Sequence, residues 1–172
     1  MRIFVGSSIL LAATVAYAAP AKLVVKSTAF SSGAAIPVQY TCDGAGKAPQ
    51  LEWSAAPAGT KSIAILVDDT DAQNGPFTHA IITGLPADQI TLDLGGALPA
   101  GVSITRNNTK GMGYLAPCPE DGRHHYHYRV FALDAPIRTP RLTGVVSRAA
   151  FLRGINGHVL AEGELVGVYE SR

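Results

Sequence analysis

The sequence predicts a mainly β protein, a two-sheet antiparallel β-sandwich with one or two short helices near the C-terminus. Short apolar runs rich in β-branched residues recur along the chain, and many of its 18 glycines and 11 prolines lie between them as turn signals. Helical periodicity appears only once, late in the chain. No internal repeat or linker interrupts this pattern, so we expect one domain over residues 19–172.

The first half of the chain is predicted to contain four strands. Residues 22–25 and 36–41 form the first two, and an Asp-Gly turn at residues 43–46 follows them. Residues 51–53 alternate apolar and polar side chains, as a half-buried strand does. Residues 62–67 are almost uniformly apolar, which favours a central strand covered on both faces.

The second half is predicted to contain three further strands and a long loop. Residues 77–83 form the next strand, residues 87–105 are mixed, and residues 106–123 are a loop rich in Asn, Gly and Pro. Strands are then predicted at residues 125–133 and within residues 160–169.

One helix is predicted between these last two strands, at residues 147–153. Either Ser147 or Thr143 is a suitable N-cap, because a hydroxyl can accept a hydrogen bond from the first backbone amides. Gly154 marks the expected end of the helix.

The N-terminal residues have the pattern of a secretory signal peptide. Arg2 supplies a positive charge, residues 3–15 are an apolar run, and Ala16-Tyr17-Ala18 fits a small-x-small cleavage site. The run is shorter than the roughly 20 apolar residues of a spanning helix, so a membrane anchor is the weaker interpretation. We expect residues 1–18 to be removed, leaving a periplasmic or secreted protein without an integral membrane segment.

The charge balance excludes a broadly attractive surface for polyanions. The 172-residue chain has 14 basic and 13 acidic side chains, and removal of residues 1–18 takes only Arg2 from the basic group. The remaining charges cancel, so we expect no binding to nucleic acid or to an anionic membrane over a whole face. Any recognition of an anion must then be local.

The two cysteines, Cys42 and Cys118, both follow the predicted cleavage site. In an oxidising compartment an isolated pair more often forms a disulfide than a zinc site, which needs two further ligands at close spacing. The sequence therefore predicts a Cys42–Cys118 disulfide.

Histidine, tyrosine and aspartate side chains are predicted to meet at one edge of the sheet. Alternation along a strand places His124 and Tyr126 on one face and His125 and His127 on the other. Asp69 ends the central strand, where a carboxylate needs a partner, and pairing with a histidine would raise the histidine pKa. Such a rim can hold a phosphate-sized anion, or it can simply satisfy loop backbone, and spacing alone leaves both interpretations open.

A set of motifs resembles the phosphatidylethanolamine-binding protein family, specifically its bacterial Raf-kinase-inhibitor-like branch. These motifs occur in family order over nearly all of the chain after residue 18. They are Tyr40-Thr41-Cys42-Asp43-Gly44, Pro57-Ala58-Gly59-Thr60-Lys61-Ser62, Asp68-Asp69-Thr70-Asp71-Ala72, Phe77-Thr78-His79, Gly113-Tyr114-Leu115-Ala116-Pro117-Cys118-Pro119, His124-His125-Tyr126, Ala132-Leu133-Asp134 and Gly157-His158-Val159-Leu160.

The resemblance implies an antiparallel β-sandwich with a small anion pocket at one end, and no cofactor. Phosphate, phosphoryl head groups and acetate are the kind of ligand that such a pocket accepts. By position, the pocket residues are Asp69, Asp71, His79, Ala116, Pro117, His124 and Tyr126. The implied function is an exported binding protein for a small anionic or phosphorylated ligand, with modulation or inhibition of another protein as a further activity.

This chain departs from the family pattern around the implied pocket. Thr70 stands where the family usually has proline, Ala80 replaces an aromatic residue, and His125 takes the place of an arginine. Ala116 replaces glycine and Glu120 replaces a second proline. These changes bear on which ligand is bound more than on the fold.

Two other functions are compatible with the same residues. His125 and His127 form a His-x-His pair on one strand face, which can present two imidazoles to zinc or copper in a periplasmic metal-binding protein. Asp69 or Asp71 as base and His124 as acid would suit hydrolysis. No serine lies in a Gly-x-Ser-x-Gly setting, so we expect a binding protein and not an enzyme.

Overall fold

The computed structural model describes residues 19–137 and 147–171, which form nine strands, one α-helix and one 3-10 helix. The strands are β1 Ala21–Lys22, β2 Val25–Lys26, β3 Gln50–Trp53, β4 Ser62–Asp69, β5 Phe77–Leu85, β6 Thr91–Asp93, β7 Ser103–Ile104, β8 Arg123–Leu133 and β9 Val159–Glu170. The 3-10 helix is Val38–Tyr40 and helix α1 is Arg148–Ile155.

The strands form two sheets, as the sequence predicts. The larger sheet has the order β1-β9-β8-β4-β5-β7, and the smaller has the order β2-β3-β6. All pairings are antiparallel except that of β1 with β9, which is parallel. The fold class is therefore confirmed, with one parallel pair at an edge of the larger sheet.

Strand β4 lies in the middle of the larger sheet, and its two faces contribute to two apolar clusters. Ile63, Ile65 and Val67 pack in the core with Leu51 and Trp53 of the smaller sheet. On the other face, the side chains of β4 and β8 pack against helix α1, in a cluster of Ala64, Leu66, Ile81, Phe131, Leu133, Phe151 and Ile155. All eight residues of β4 are buried, which confirms the predicted central strand covered on both faces.

The strand predicted at residues 36–41 is wrong. Pro37 has no N–H to donate to a neighbouring strand, and its carbonyl instead accepts a hydrogen bond from the Tyr40 amide at 2.9 Å, which closes the 3-10 turn. Just before this turn, Ala35 forms a parallel β-bridge with Val168 of β9.

The single strand predicted at residues 22–25 is also corrected, because the chain changes sheets there. Ala21 and Lys22 pair with β9, whereas Val25 and Lys26 pair with β3. Between them the Leu23 amide still donates to the Glu162 carbonyl at 2.7 Å. The segment thus links an edge of the larger sheet to the smaller one.

The remaining predicted elements are found with longer bounds. β8 shows the predicted alternation, with exposed or half-buried side chains at odd numbers from Arg123 to Arg129 and buried ones at even numbers. Helix α1 begins after Ser147, whose hydroxyl accepts a hydrogen bond from the Ala150 amide at 3.2 Å, and continues to Ile155. The alternative N-cap Thr143 and the predicted signal peptide lie outside the described residues.

The predicted disulfide between Cys42 and Cys118 is present. The Cys42 amide also donates to the Pro117 carbonyl at 3.0 Å, so the loop before β8 is joined twice to the loop after the 3-10 helix. Among the described residues, no helix is both long enough and apolar enough to cross a membrane.

Candidate functional site

A cavity of about 480 Å³ lies where β4 ends and β8 begins. Its wall is formed by the end of β4 and the loop after it, by β5, by the long loop between β7 and β8, and by the start of β8. The lining residues are Asp69, Ala72, Gln73, Asn74, Gly75, Pro76, Phe77, His79, Asn108, Thr109, Leu115, Ala116, Cys118, Pro119, Glu120, Asp121 and His124.

His124 and Asp69 form a buried pair in this wall. Nδ1 of His124 lies 2.7 Å from Oδ2 of Asp69, and the two residues are only 6% and 4% exposed. The pairing of β8 with β4 places Tyr126 opposite Asp69, so His124 reaches the carboxylate from two positions further along the same face. Burial alone would lower the histidine pKa, but the hydrogen bond and the charge of Asp69, helped by Asp71, raise it above 6.5.

The second oxygen of Asp69 is also engaged. Oδ1 accepts a hydrogen bond from the Asp71 backbone amide at 2.9 Å, which turns the chain at the end of β4. Because one carboxylate oxygen accepts from the Asp71 amide and the other accepts from Nδ1–H of His124, the carboxylate holds the imidazole ring of His124 in one orientation. The other ring nitrogen, Nε2, is then 3.9 Å from Oδ1 of Asp121, on the loop just before β8.

His79 contributes a second imidazole to the same cavity. It is 4% exposed, and its Nδ1 lies 2.8 Å from the Leu115 carbonyl oxygen. The Leu115 amide donates in return to the His79 carbonyl at 3.1 Å, so the ring is fixed to the loop wall. Burial lowers the pKa of His79 more than the Leu115 carbonyl and the charges of Asp69 and Asp68 raise it, which favours the neutral ring.

Tyr126 lies behind the two histidines and does not line the cavity. Its ring centroid is 5.3 Å from that of His79 and 6.5 Å from that of His124, and the residue is fully buried. Its hydroxyl makes no hydrogen bond within the described part of the chain. Burial, followed by the nearby charge of Asp69, raises the tyrosine pKa, so the phenol stays protonated.

Asp71 and Pro117, predicted as pocket residues, do not line the cavity either. The Asp71 carboxylate turns to the opposite face, where Oδ2 accepts from the His125 amide at 2.8 Å and from His125 Nδ1 at 2.7 Å. The hydrogen bond from His125 accordingly lowers the Asp71 pKa. Of the predicted pocket residues, the structure therefore brings Asp69, His79, Ala116 and His124 together in the wall.

The two histidines on the outer face of β8 are held by separate carboxylates. His125 pairs with Asp71, whereas Nδ1 of His127 lies 2.7 Å from Oε1 of Glu164 and its Nε2 lies 3.1 Å from the Thr70 hydroxyl. Across residues 19–137 and 147–171, no cluster of three or more His, Cys, Asp or Glu side chains is arranged to hold a metal ion.

Sequence reasoning missed two features of the cavity: the carboxylates of Glu120 and Asp121 at its mouth, and the loop around Leu115 that forms part of its wall. Leu115 acts through its backbone, so its side chain gives no indication of the role. In the sequence, Glu120 is only a departure from the family pattern, and Asp121 lies three residues before His124, where a loop carboxylate can approach the ring. No lysine or arginine is among the described residues that line the cavity.

Comparisons with known proteins show which family the chain resembles. The family model described as "Phosphatidylethanolamine-binding protein" matches residues 26–170. The chain is 37% identical over 149 residues to "UPF0098 protein" of Methanothermobacter thermautotrophicus, covering 84% of this chain and 97% of that protein. It is 39% identical over 152 residues to "Putative lipoprotein LppC" of Mycobacterium tuberculosis, covering 86% and 72%.

A solved structure shows the same fold. Escherichia coli YbcL, described as a member of the mammalian PEBP family, superposes with a TM-score of 0.79 at 30% sequence identity. The match covers 88% of this chain and 100% of YbcL.

Proposed function

The chain belongs to the phosphatidylethanolamine-binding protein family, and on this premise we propose that it binds a small anionic or phosphorylated ligand in the cavity at the end of β4. The ligand is held by the imidazoles of His124 and His79, with Tyr126 and Asp69 behind them. In this proposal the protein is a binding protein and not an enzyme, and it needs no cofactor.

The buried His124–Asp69 pair is the observation that carries the proposal. Asp69 raises the pKa of His124 and occupies Nδ1 at 2.7 Å, so a protonated ring presents Nε2–H as its remaining donor. A charged N–H donor beside a partly enclosed cavity favours an oxyanion, since charge-assisted hydrogen bonds are stronger than neutral ones.

The surrounding groups favour binding over hydrolysis. Nucleophilic catalysis by a serine or threonine needs its hydroxyl within hydrogen-bond reach of a base. The cavity wall contains one hydroxyl side chain, that of Thr109, and its Oγ1 donates to Asn107 Oδ1 at 2.6 Å instead of to a histidine.

We further propose that the protein acts outside the cytoplasm. The sequence begins with a signal-peptide pattern, the Cys42–Cys118 disulfide suits an oxidising compartment, and a relative carries a lipoprotein name. Modulation or inhibition of another protein, which the family resemblance implies, stays a prediction.

Calorimetric titration with inorganic phosphate and with phosphoethanolamine tests the site. We expect the His124→Ala variant to lose at least about tenfold in affinity, because it removes a charge-assisted hydrogen bond of roughly 1.5–3 kcal/mol. His158→Ala is the matched control. His158 also donates to an aspartate, with 2.8 Å between its Nδ1 and Oδ1 of Asp134, but it lies outside the cavity wall. Equal affinities of wild type and His124→Ala would reject the site.

A further inference from the structure

The hydrogen bond of His79 fixes which of its ring nitrogens carries a proton. A backbone carbonyl can only accept, so Nδ1 at 2.8 Å from the Leu115 oxygen must be the N–H. In the neutral ring Nε2 then has a lone pair and no proton. No hydrogen bond is formed by this Nε2 within the described residues, although the residue is 96% buried in the cavity wall. A neutral His79 therefore offers the cavity an acceptor.

His124 offers the complementary group. Its Nδ1–H donates a hydrogen bond to Asp69, so protonation of the ring places the second N–H on Nε2. The cavity thus presents one charged donor and one neutral acceptor. A ligand that satisfies both must carry a negative oxygen and a protonated oxygen at the same time.

The charges of the wall also favour a ligand with low negative charge. Asp69, Glu120 and Asp121 supply three carboxylates, and no lysine or arginine lines the cavity in the described part of the chain. Asp69 is paired with His124, but Glu120 and Asp121 are exposed at the mouth. A dianion would be repelled by these carboxylates more strongly than a monoanion.

From this arrangement we infer that the site selects the singly protonated, monoanionic form of a phosphoryl ligand. Its P–OH donates to Nε2 of His79, and its P–O⁻ accepts from Nε2–H of His124. The inference rests on the proposed function and adds the protonation state of the ligand. A tetrahedral anion without a proton leaves two lone pairs facing each other at His79, which is unfavourable because a buried acceptor then lacks its donor.

Binding should therefore weaken as pH rises. A phosphate monoester loses its last proton at a pKa of about 6, and the dianion no longer donates to His79. Burial lowers the pKa of His124, but the hydrogen bond to Asp69, the charges of Asp69 and Asp71 and a hydrogen bond to the Asp121 backbone raise it above that of an isolated histidine. The Asp121 carboxylate lies 3.9 Å from Nε2 of His124. The charges of Asp69 and Asp68 act on His79, the Tyr126 ring lies 5.3 Å from its ring, and Glu120, Asp121 and His124 line the same cavity. The ligand is then the group whose deprotonation comes first.

A comparison of methyl phosphate with methyl sulfate distinguishes the effect of the ligand's proton from the effect of its negative charge. At pH 5 both carry mainly one negative charge on similar tetrahedral groups, but only methyl phosphate has an O–H to donate. We expect calorimetry of the intact protein to show methyl phosphate binding at least about tenfold more tightly, with the preference falling between pH 5 and pH 8. In His79→Leu, which removes the acceptor, the preference should shrink while methyl sulfate binding persists.

The outcomes distinguish this inference from the proposed function. Equal binding of the two esters by the wild-type protein would overturn the selection of a protonated ligand and leave the anion site intact. Tighter binding of methyl sulfate would overturn it as well. If the protein binds neither ester, and binds neither phosphate nor phosphoethanolamine, the proposed function and the inference are both overturned.

Discussion

Replacing both Cys42 and Cys118 by serine should cost a large part of the stability of this protein. The chain has two cysteines, and their disulfide closes a loop over a sequence separation of 76 residues. In the chain-entropy model, a loop of this length corresponds to about 4.5 kcal/mol of stabilisation through the unfolded state. The expected decrease in the free energy of unfolding is of that order, because the two cysteines are the only ones in the sequence and no second bridge compensates.

Urea unfolding of the oxidised wild type, the reduced wild type and the double serine variant measures this decrease. With a slope of about 2 kcal/mol per molar urea, the midpoint should fall by roughly 2 M in the variant. The reduced wild type should behave like the variant, and reductant should leave the variant unchanged. A variant within about 1 kcal/mol of the oxidised wild type would refute the loop-closure reasoning.

Three further changes test the packing and the charges. Gly163→Ala should destabilise the protein by about 2 kcal/mol in thermal unfolding, because the new Cβ would clash with the backbone carbonyl oxygen of Leu23. Gly154→Ala is the matched control: its Cβ meets nothing within 4 Å, so it should stabilise helix α1 by roughly 0.5 kcal/mol. Asp68→Asn should cost about 3 kcal/mol in urea unfolding, because Asp68 is fully buried and lies 2.5 Å from Nε of Arg148. The folded state raises the pKa of His124, so its contribution to stability is complete below pH 6.5 and is lost as pH rises through the higher folded value. The difference in unfolding free energy between wild type and His124→Gln should therefore be larger at pH 6 than at pH 9, and an unchanged difference would contradict the pairing.

The strand period predicted the site wherever the backbone stays in a strand. It placed His124 and Tyr126 on one face of β8, where both are buried, and the expected pairing of Asp69 with a histidine is made by His124. Asp71 was misplaced because it lies beyond the end of β4. There the Asp71 amide bonds back to the Asp69 carboxylate, the turn reverses the side chain, and His125 becomes its partner.

The errors in the fold have a similar physical origin. The run at residues 36–41 alternates like a strand, but Pro37 starts a 3-10 turn and ends pairing there. The run at residues 22–25 crosses between sheets, which depends on its close approach to Gly163 in β9. Local patterns do not contain information about such distant partners. The hydrogen bond of His79 to the Leu115 carbonyl was likewise beyond sequence reasoning, because any residue has that carbonyl.

The most direct test of the anion site is to observe its imidazoles by nitrogen-resolved NMR while inorganic phosphate is added. The ring signals of His124 and His79 should shift saturably with one shared affinity, because both residues line the same cavity. The ring of His158, which is paired with Asp134 away from that cavity, should not respond. Signals of His124 and His79 that do not change with phosphate, or a response confined to His158, would show that the cavity is not the anion site.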